Sequence, residues 1–166
     1  QTQQVGIFAL HSTQWTPTVS TDVAARFEQE SGLAPVLAVL NGKGGSGASF
    51  IATSIASIAA QQDKYQVALI DSDLHYGTLA HMLGVKPSYF ITDALESLEQ
   101  LDGLALTSAM TSKEQLHLLA ARPFSLINGG AEIKPDQFKQ LLWKCRQHYN
   151  QVVIDLSRGP EMWNSS

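Results

Sequence analysis

Short apolar runs without polar interruption alternate with amphipathic segments along most of the chain. An uninterrupted run is typical of a parallel strand that is buried on both faces. The runs of this kind are 36–40, 67–70, 116–121 and 152–154. Apolar residues recur at helical spacing between them, at Ile51, Ile55, Ile58 and Ala59 and again at Phe138, Leu141, Leu142 and Cys145. This alternation predicts an α/β fold, a doubly wound and mostly parallel sheet with helices on both faces.

The same pattern predicts where the individual helices lie and which strands are central in the sheet. We expect a helix over 49–61, two short helices within 78–98 on either side of Pro87, and a helix that starts at Pro135. We expect the strand over 36–41 and the strand that ends at Asp155 to lie centrally in the sheet. Residues 20–31 have the pattern of a short linker helix.

Composition narrows the class of protein. A chain of 166 residues with 44% apolar and 16% charged residues is typical of one packed globular domain. Its net charge of -4 attracts neither phosphate backbones nor anionic lipids, so no nucleic-acid partner is expected. The single cysteine, Cys145, excludes an intrachain disulfide and favours a reducing compartment. The chain starts at Gln1 rather than Met and stops soon after a strand, which indicates an excerpt truncated at its C-terminus.

A glycine-rich loop follows the first apolar run. The phosphate-loop pattern is Gly, four residues, Gly, Lys, then Ser or Thr, and the loop satisfies every position except the lysine. Its residues are Gly42, Lys43, Gly44, Gly45, Ser46, Gly47, Ala48 and Ser49, with Ala48 in the place of the lysine. Glycines let the backbone curl around phosphate oxygens, and the following helix adds its positive end. The position before a helix favours a phosphate cradle over a plain turn, and Ser49 has the hydroxyl position that ligates Mg²⁺.

Carboxylates follow two of the predicted strands. Asp155 at the end of its strand is a candidate to hold a water on Mg²⁺, although a strand-end Asp also caps turns. Asp71 and Asp73 lie two residues apart, so in an extended segment they point to the same side and could address a metal and an attacking water. An ordinary polar strand exit remains the alternative. The five histidines show no spacing that would build a zinc site.

The segment Lys43 to Ser49 resembles the deviant phosphate loop of the ParA and MinD ATPases. The resemblance covers about 34–158 and implies a P-loop NTPase that binds ATP and Mg²⁺. It assigns Lys43 the role of the signature lysine, which reaches the phosphates of a partner in a homodimer. It makes Asp73 the candidate that orients water, and it places Asp71 and Asp155 on the metal side. The catalytic candidates are thus Asp73 and Lys43, and the metal candidates are Ser49, Asp71 and Asp155.

Within that family, the small residue at Ala48, the run 71–80 and the ending 155–158 look most like the TadZ and CpaE branch. That branch implies a localisation or assembly factor for Flp or Tad type pili, partnered by pilus and secretion proteins. It also implies a cytoplasmic protein, with a cell pole as a further expectation. Residues 1–34 would then be a linker or the remnant of a receiver-like domain, and 35–166 the N-terminal part of the ATPase domain. Nothing in these residues determines membrane association.

Replacement of the loop lysine by Ala48 favours weak or absent hydrolysis. We therefore expect a nucleotide-dependent dimerising scaffold. Two alternatives stay open: an active ParA-like ATPase that partitions DNA or a protein cargo, and a pseudo-ATPase interaction module that no longer holds nucleotide.

Overall fold

The computed structural model describes residues 32–41, 45–74, 76–122 and 133–156. Its strands are β1 (Val36–Leu40), β2 (Val67–Asp71), β3 (Thr111–Lys113), β4 (Leu116–Leu119) and β5 (Gln151–Leu156). Its helices are α1 (Ala48–Ala59), α2 (Leu79–Leu83), α3 (Ile91–Glu96), α4 (Gly103–Ala109) and α5 (Pro135–His148). The predicted helices after the glycine loop, on both sides of Pro87 and from Pro135 are confirmed within a few residues.

The strands form one sheet in the order β1-β5-β2-β4-β3. The first four of these strands are parallel, and β3 pairs antiparallel with β4. This mostly parallel sheet confirms the predicted α/β class. The strand β3 and the helix α4 were not predicted; β3 carries only three residues and has no apolar pattern.

Helices cover the sheet on both faces. Alternate residues of β2 point to opposite sides, since Ala68 and Ile70 belong to one buried cluster and Val67 and Leu69 to the other. The first cluster packs α3, α4 and α5 against the sheet, and the second packs α1 and α2 against it. Two apolar layers of this kind are what a doubly wound fold requires.

The central position expected for the first strand is wrong for the described residues. β5 is central, between β1 and β2, but β1 is an edge strand with Val36 38% and Leu40 61% exposed. An apolar run shows that a strand can be buried on both faces. It does not show whether the described part of the chain supplies the elements that cover it.

The buried face of α1 also differs from the apolar face predicted from the sequence. The helix buries Ala48, Ala52, Thr53 and Ala56, whereas Ile58 is 64% exposed. Alanines let the helix axis approach the sheet closely, and helical spacing alone does not distinguish a small buried face from a large exposed one.

Several predictions lie outside the described residues. They concern the linker helix and the preceding segment up to residue 31, the loop residues 42–44, and the residues after 156. Among the helices that the structure describes, none is long and apolar enough to cross a membrane.

Candidate phosphate and metal site

The candidate residues come together at the edge of the sheet where β1, β5 and β2 end. Parallel strands bring their carboxyl ends to one edge, and in this register Asp155 of β5 lies beside Asp71 of β2. Val39 of β1 lies on the other side of Asp155, so the loop after β1 starts next to the same carboxylate. The strand order therefore collects residues that are far apart in the sequence.

The described part of the glycine loop has the backbone that a phosphate cradle needs. Gly45 and Gly47 have φ angles of +73° and +81°, in the left-handed region that favours glycine. Gly47 is the N-cap of α1, and its carbonyl accepts the first helical hydrogen bond from the amide of Ile51 at 3.0 Å. The amides of residues 48–50 thus have no acceptor within the helix, and they add to the positive end of its dipole.

Asn41, the residue after β1, accepts hydrogen bonds from this loop with its side chain. Its Oδ1 accepts a hydrogen bond from the Ser46 hydroxyl at 2.9 Å and a second from the Ala48 amide at 3.3 Å. Asn41 is not among the site residues predicted from the sequence. An asparagine directly before a glycine loop is a recognisable signal, because its carboxamide often bonds to nearby backbone amides.

Ser49 and Asp155 lie close together, as a shared metal site requires. The Ser49 side chain lies near the Asp155 carboxylate, where its hydroxyl favours the charged form of that group. Asp155 is only 3% exposed, and its backbone carbonyl accepts hydrogen bonds from the Ser72 amide at 3.1 Å and hydroxyl at 2.7 Å. Burial raises the pKa of Asp155, the Ser49 hydroxyl opposes that shift, and the negative charge of Asp73 adds to it.

Asp71 is the most buried carboxylate of the site, with 1% exposure. Its Oδ1 accepts from the Asp73 amide at 3.1 Å and its Oδ2 from the Leu79 amide at 3.3 Å. Burial raises the pKa of Asp71 to about 7; the two backbone hydrogen bonds oppose the shift, and the charges of Asp155 and Asp73 add to it. Asp71 thus closes the turn into α2, which is what the alternative of a polar strand exit expects, and its role on the metal side stays a prediction.

Asp73 lies in the turn that follows β2. Its Oδ1 accepts from the Tyr76 amide at 3.0 Å, and its charge acts on both Asp71 and Asp155. Gly77 seats this turn against the end of β4, because a Cβ there would lie 2.9 Å from the backbone oxygen of Ala121. The carboxylate of Asp73 therefore lies near the other two aspartates, on a turn whose position depends on the close packing of Gly77.

The arrangement fits a hard cation such as Mg²⁺. Within the described ranges, no ion pair involves Asp71 or Asp155, so two neighbouring buried carboxylates lack a cationic partner there. No three His, Cys, Asp or Glu residues of the described ranges form a direct metal cage. Mg²⁺ commonly keeps several waters and takes few protein ligands besides substrate phosphates, so Ser49 could ligate it while Asp155 and Asp71 hold its waters.

The described loop residues and the three aspartates thus lie at one edge of the sheet. They are Gly45, Ser46, Gly47, Ala48 and Ser49 of the loop, with Asp71, Asp73 and Asp155. Gly42, Lys43 and Gly44 lie outside the described residues. The binding and catalytic roles assigned to all of these residues stay predictions.

A parallel sheet with a glycine loop between its first strand and helix, and with acidic strand ends beside that loop, defines a P-loop NTPase fold. A family model described as "ParA: NUBPL iron-transfer P-loop NTPase" matches residues 32–118, just over half of the chain. The chain belongs to this ParA family of P-loop NTPases. The family assignment is thereby confirmed, while the TadZ and CpaE branch stays a proposal.

Solved structures agree on the fold. A ParA family ATPase from Chlorobium tepidum TLS matches with a TM-score of 0.66 and 24% identity, over 75% of this chain and 52% of that one. The septum site-determining protein MinD of Pyrococcus horikoshii OT3, solved with Mg-ADP, matches with a TM-score of 0.56 and 23% identity, over 76% and 50%. The chain therefore spans about half the length of these relatives.

A tyrosine-protein kinase is also similar to part of the chain. A tyrosine-protein kinase of Acinetobacter johnsonii is 29% identical over 109 residues, which is 66% of this chain but only 14% of that protein. The match covers a small part of the kinase, so what the whole kinase does is not transferred with it.

Proposed function

We propose that this protein binds ATP with Mg²⁺ at the edge formed by Gly42 to Ser49, Asp71 and Asp155, and hydrolyses it slowly or not at all. Binding would favour a homodimer that acts as a scaffold or localisation factor for Flp or Tad type pilus assembly and secretion. The family supports nucleotide binding, because a member of this fold is solved with Mg-ADP. The pilus role and a cytoplasmic, polar location rest on the motif resemblance.

The observation that carries the proposal is Ala48. Ala48 is the first residue of α1 and is 4% exposed. It occupies the sequence position of the loop lysine, but its side chain is only a methyl group. An ammonium about 4 Å from a phosphate would contribute about 4 kcal/mol at an effective dielectric of about 20, before its own desolvation.

The groups that remain can still bind an anion. The first amides of α1, the helix dipole and a cation held near Ser49 and Asp155 all act on phosphate in the ground state. The charge that develops during phosphoryl transfer would lack its main stabilising donor, which costs roughly 10²- to 10³-fold in rate. Binding with slow or absent turnover follows from this difference.

The test is a comparison of the full-length wild-type protein with Ala48→Lys. We expect the variant to raise ATP turnover about 10²- to 10³-fold and to tighten Mg-ATP binding. Ser49→Ala in the lysine background is the matched control, because it removes the hydroxyl on the metal side and should lower the gained turnover. Equal turnover in wild type and Ala48→Lys would contradict the scaffold proposal and favour an active ParA-like ATPase.

Calorimetry with Mg-ATP separates the scaffold from a module that has lost its nucleotide. We expect saturable heats for the wild-type protein at submillimolar to millimolar nucleotide. Absence of binding at millimolar Mg-ATP would favour the pseudo-ATPase module.

The tyrosine-protein kinase relative supports a second candidate, transfer of the γ-phosphate to a tyrosine. The same missing ammonium at Ala48 argues against efficient transfer. Incubation with radiolabelled ATP followed by detection of phosphotyrosine distinguishes the two, and labelled tyrosine at a rate above that of a Ser49→Ala control would favour the kinase.

A further inference from the structure

The beginning of α1 needs an acceptor that its own cap residue does not provide. The amide of Ala48 is at the first helical position, where no carbonyl of the helix can reach it. At many helix starts the side chain of a Ser, Thr, Asp or Asn at the N-cap accepts the amide of the second or third helical residue, but the N-cap here is Gly47, which has no side chain. The Oδ1 of Asn41, seven residues upstream, accepts the Ala48 amide instead.

The same amide is one that a phosphate loop would direct at its ligand. In such loops the amides at the start of the helix point at phosphate oxygens. In this structure the Asn41 oxygen lies within hydrogen-bond distance of the Ala48 amide and of the Ser46 hydroxyl, two donors of the loop. A carboxamide oxygen therefore stands where a phosphate oxygen would be bound.

We infer that Asn41 competes with the nucleotide phosphate for the donors of the loop. Its neutral side-chain oxygen accepts their hydrogen bonds and must be displaced before an anion can bind to them. The inference rests on the proposed nucleotide binding and adds a residue that sets its affinity. It assigns Asn41 to the phosphate site as a determinant of binding rather than as a catalytic residue.

The chemistry of the two acceptors makes the exchange possible. Hydrogen bonds to an ionised oxygen are roughly twice as strong as those to a neutral one, so a phosphate displaces the carboxamide. The displacement still costs the bonds that Asn41 gives up, and the observed affinity is reduced by that amount. In a loop that already lacks an ammonium at Ala48, this competition has a larger share in the affinity than it would beside a lysine.

The test measures binding of inorganic tripolyphosphate and of Mg-ATP by calorimetry in the full-length protein. Tripolyphosphate reports on the loop without the base or the sugar. We expect Asn41→Ala to bind both about threefold to tenfold more tightly than wild type, as the loss of a competing hydrogen bond of typical strength implies. Ser46→Ala removes one of the two donors to Asn41 but also a donor that the anion could use, so it should change binding less than Asn41→Ala does.

A variant of opposite sign is available at the same position. Asn41→Asp keeps the size of the side chain but replaces the neutral oxygen by an anionic one, which holds the amides more strongly and repels phosphate. We expect it to weaken binding more than tenfold. Thermal denaturation gives a second readout: added tripolyphosphate should raise the melting temperature of Asn41→Ala more than that of wild type.

Each outcome bears on the inference. Binding by Asn41→Ala that equals or falls below wild-type binding would overturn it, because Asn41 would then only hold the loop in shape. Binding by Asn41→Ala with none by wild type would support it. Absence of binding in wild type, Asn41→Ala and Ala48→Lys alike would overturn the proposed function and this inference together, which separates that failure from the first.

Discussion

The buried carboxylate Asp71 predicts a specific dependence of stability on pH. Its pKa is raised from 3.8 to about 7 in the folded chain, chiefly by burial. Between these two values the folded state keeps the proton and the unfolded state loses it. The free energy of unfolding therefore falls as pH rises, and the contribution of Asp71 is fully present only below the unfolded pKa and is lost as pH passes the folded one.

The magnitude follows from the size of the shift. One pKa unit corresponds to about 1.4 kcal/mol, so a group that titrates near 7 instead of near 3.8 lowers the free energy of unfolding by about 2 to 3 kcal/mol between about pH 5 and about pH 8. Asp71→Asn removes this titration. The remaining pH dependence of the variant would come from Asp155 and from other groups.

The variant also changes stability in a way that does not depend on pH. Its amide oxygen can accept from either the Asp73 or the Leu79 amide, and its NH₂ group then faces the other. The loss of one of the two hydrogen bonds lowers the free energy of unfolding by about 1 to 3 kcal/mol at every pH. The difference between two pH values, rather than stability at one of them, is thus the informative quantity.

The assay is urea denaturation of wild type and Asp71→Asn at about pH 5 and about pH 8, without nucleotide or Mg²⁺. We expect the wild-type protein to lose about 2 to 3 kcal/mol more over this interval than the variant. Asp136→Asn, at an exposed position in the first turn of α5, is the control for removal of a carboxylate and should retain the wild-type difference. If Asp71→Asn kept the same difference as wild type, the assignment of a raised pKa to this buried group would be refuted.

Two further predictions concern the dimer and the turn that carries Asp73. Lys43→Ala should weaken ATP-dependent association in sedimentation while leaving monomer stability unchanged, since the family resemblance places this lysine across the dimer; unchanged association would remove that role. Gly77→Ala should lower the free energy of unfolding by about 1 to 3 kcal/mol, because its Cβ would meet the Ala121 backbone oxygen at 2.9 Å. Gly32→Ala, where nothing lies within 4 Å of the added Cβ, is the control, and equal losses in the two variants would contradict the packing argument.

The sequence alone determined the local elements and the chemistry they carry. Uninterrupted apolar runs located β1, β2, β4 and β5, because a strand buried on both faces leaves no polar alternation. The spacing of the glycine loop and the aspartates at strand ends located the candidate site, since both signals lie within short segments. The absence of a lysine at Ala48 was equally visible.

Only the tertiary structure decided which of these elements are neighbours. Apolar periodicity records that a face is buried but not against what, so neither the edge position of β1 nor the alanine face of α1 could be predicted. The contact of Ser72 with Asp155 joins residues 83 positions apart, and the bond from Ala48 to Asn41 joins residues on either side of the glycine loop. Such contacts depend on strand order and loop closure, which result from the packing of the whole sheet and its helices.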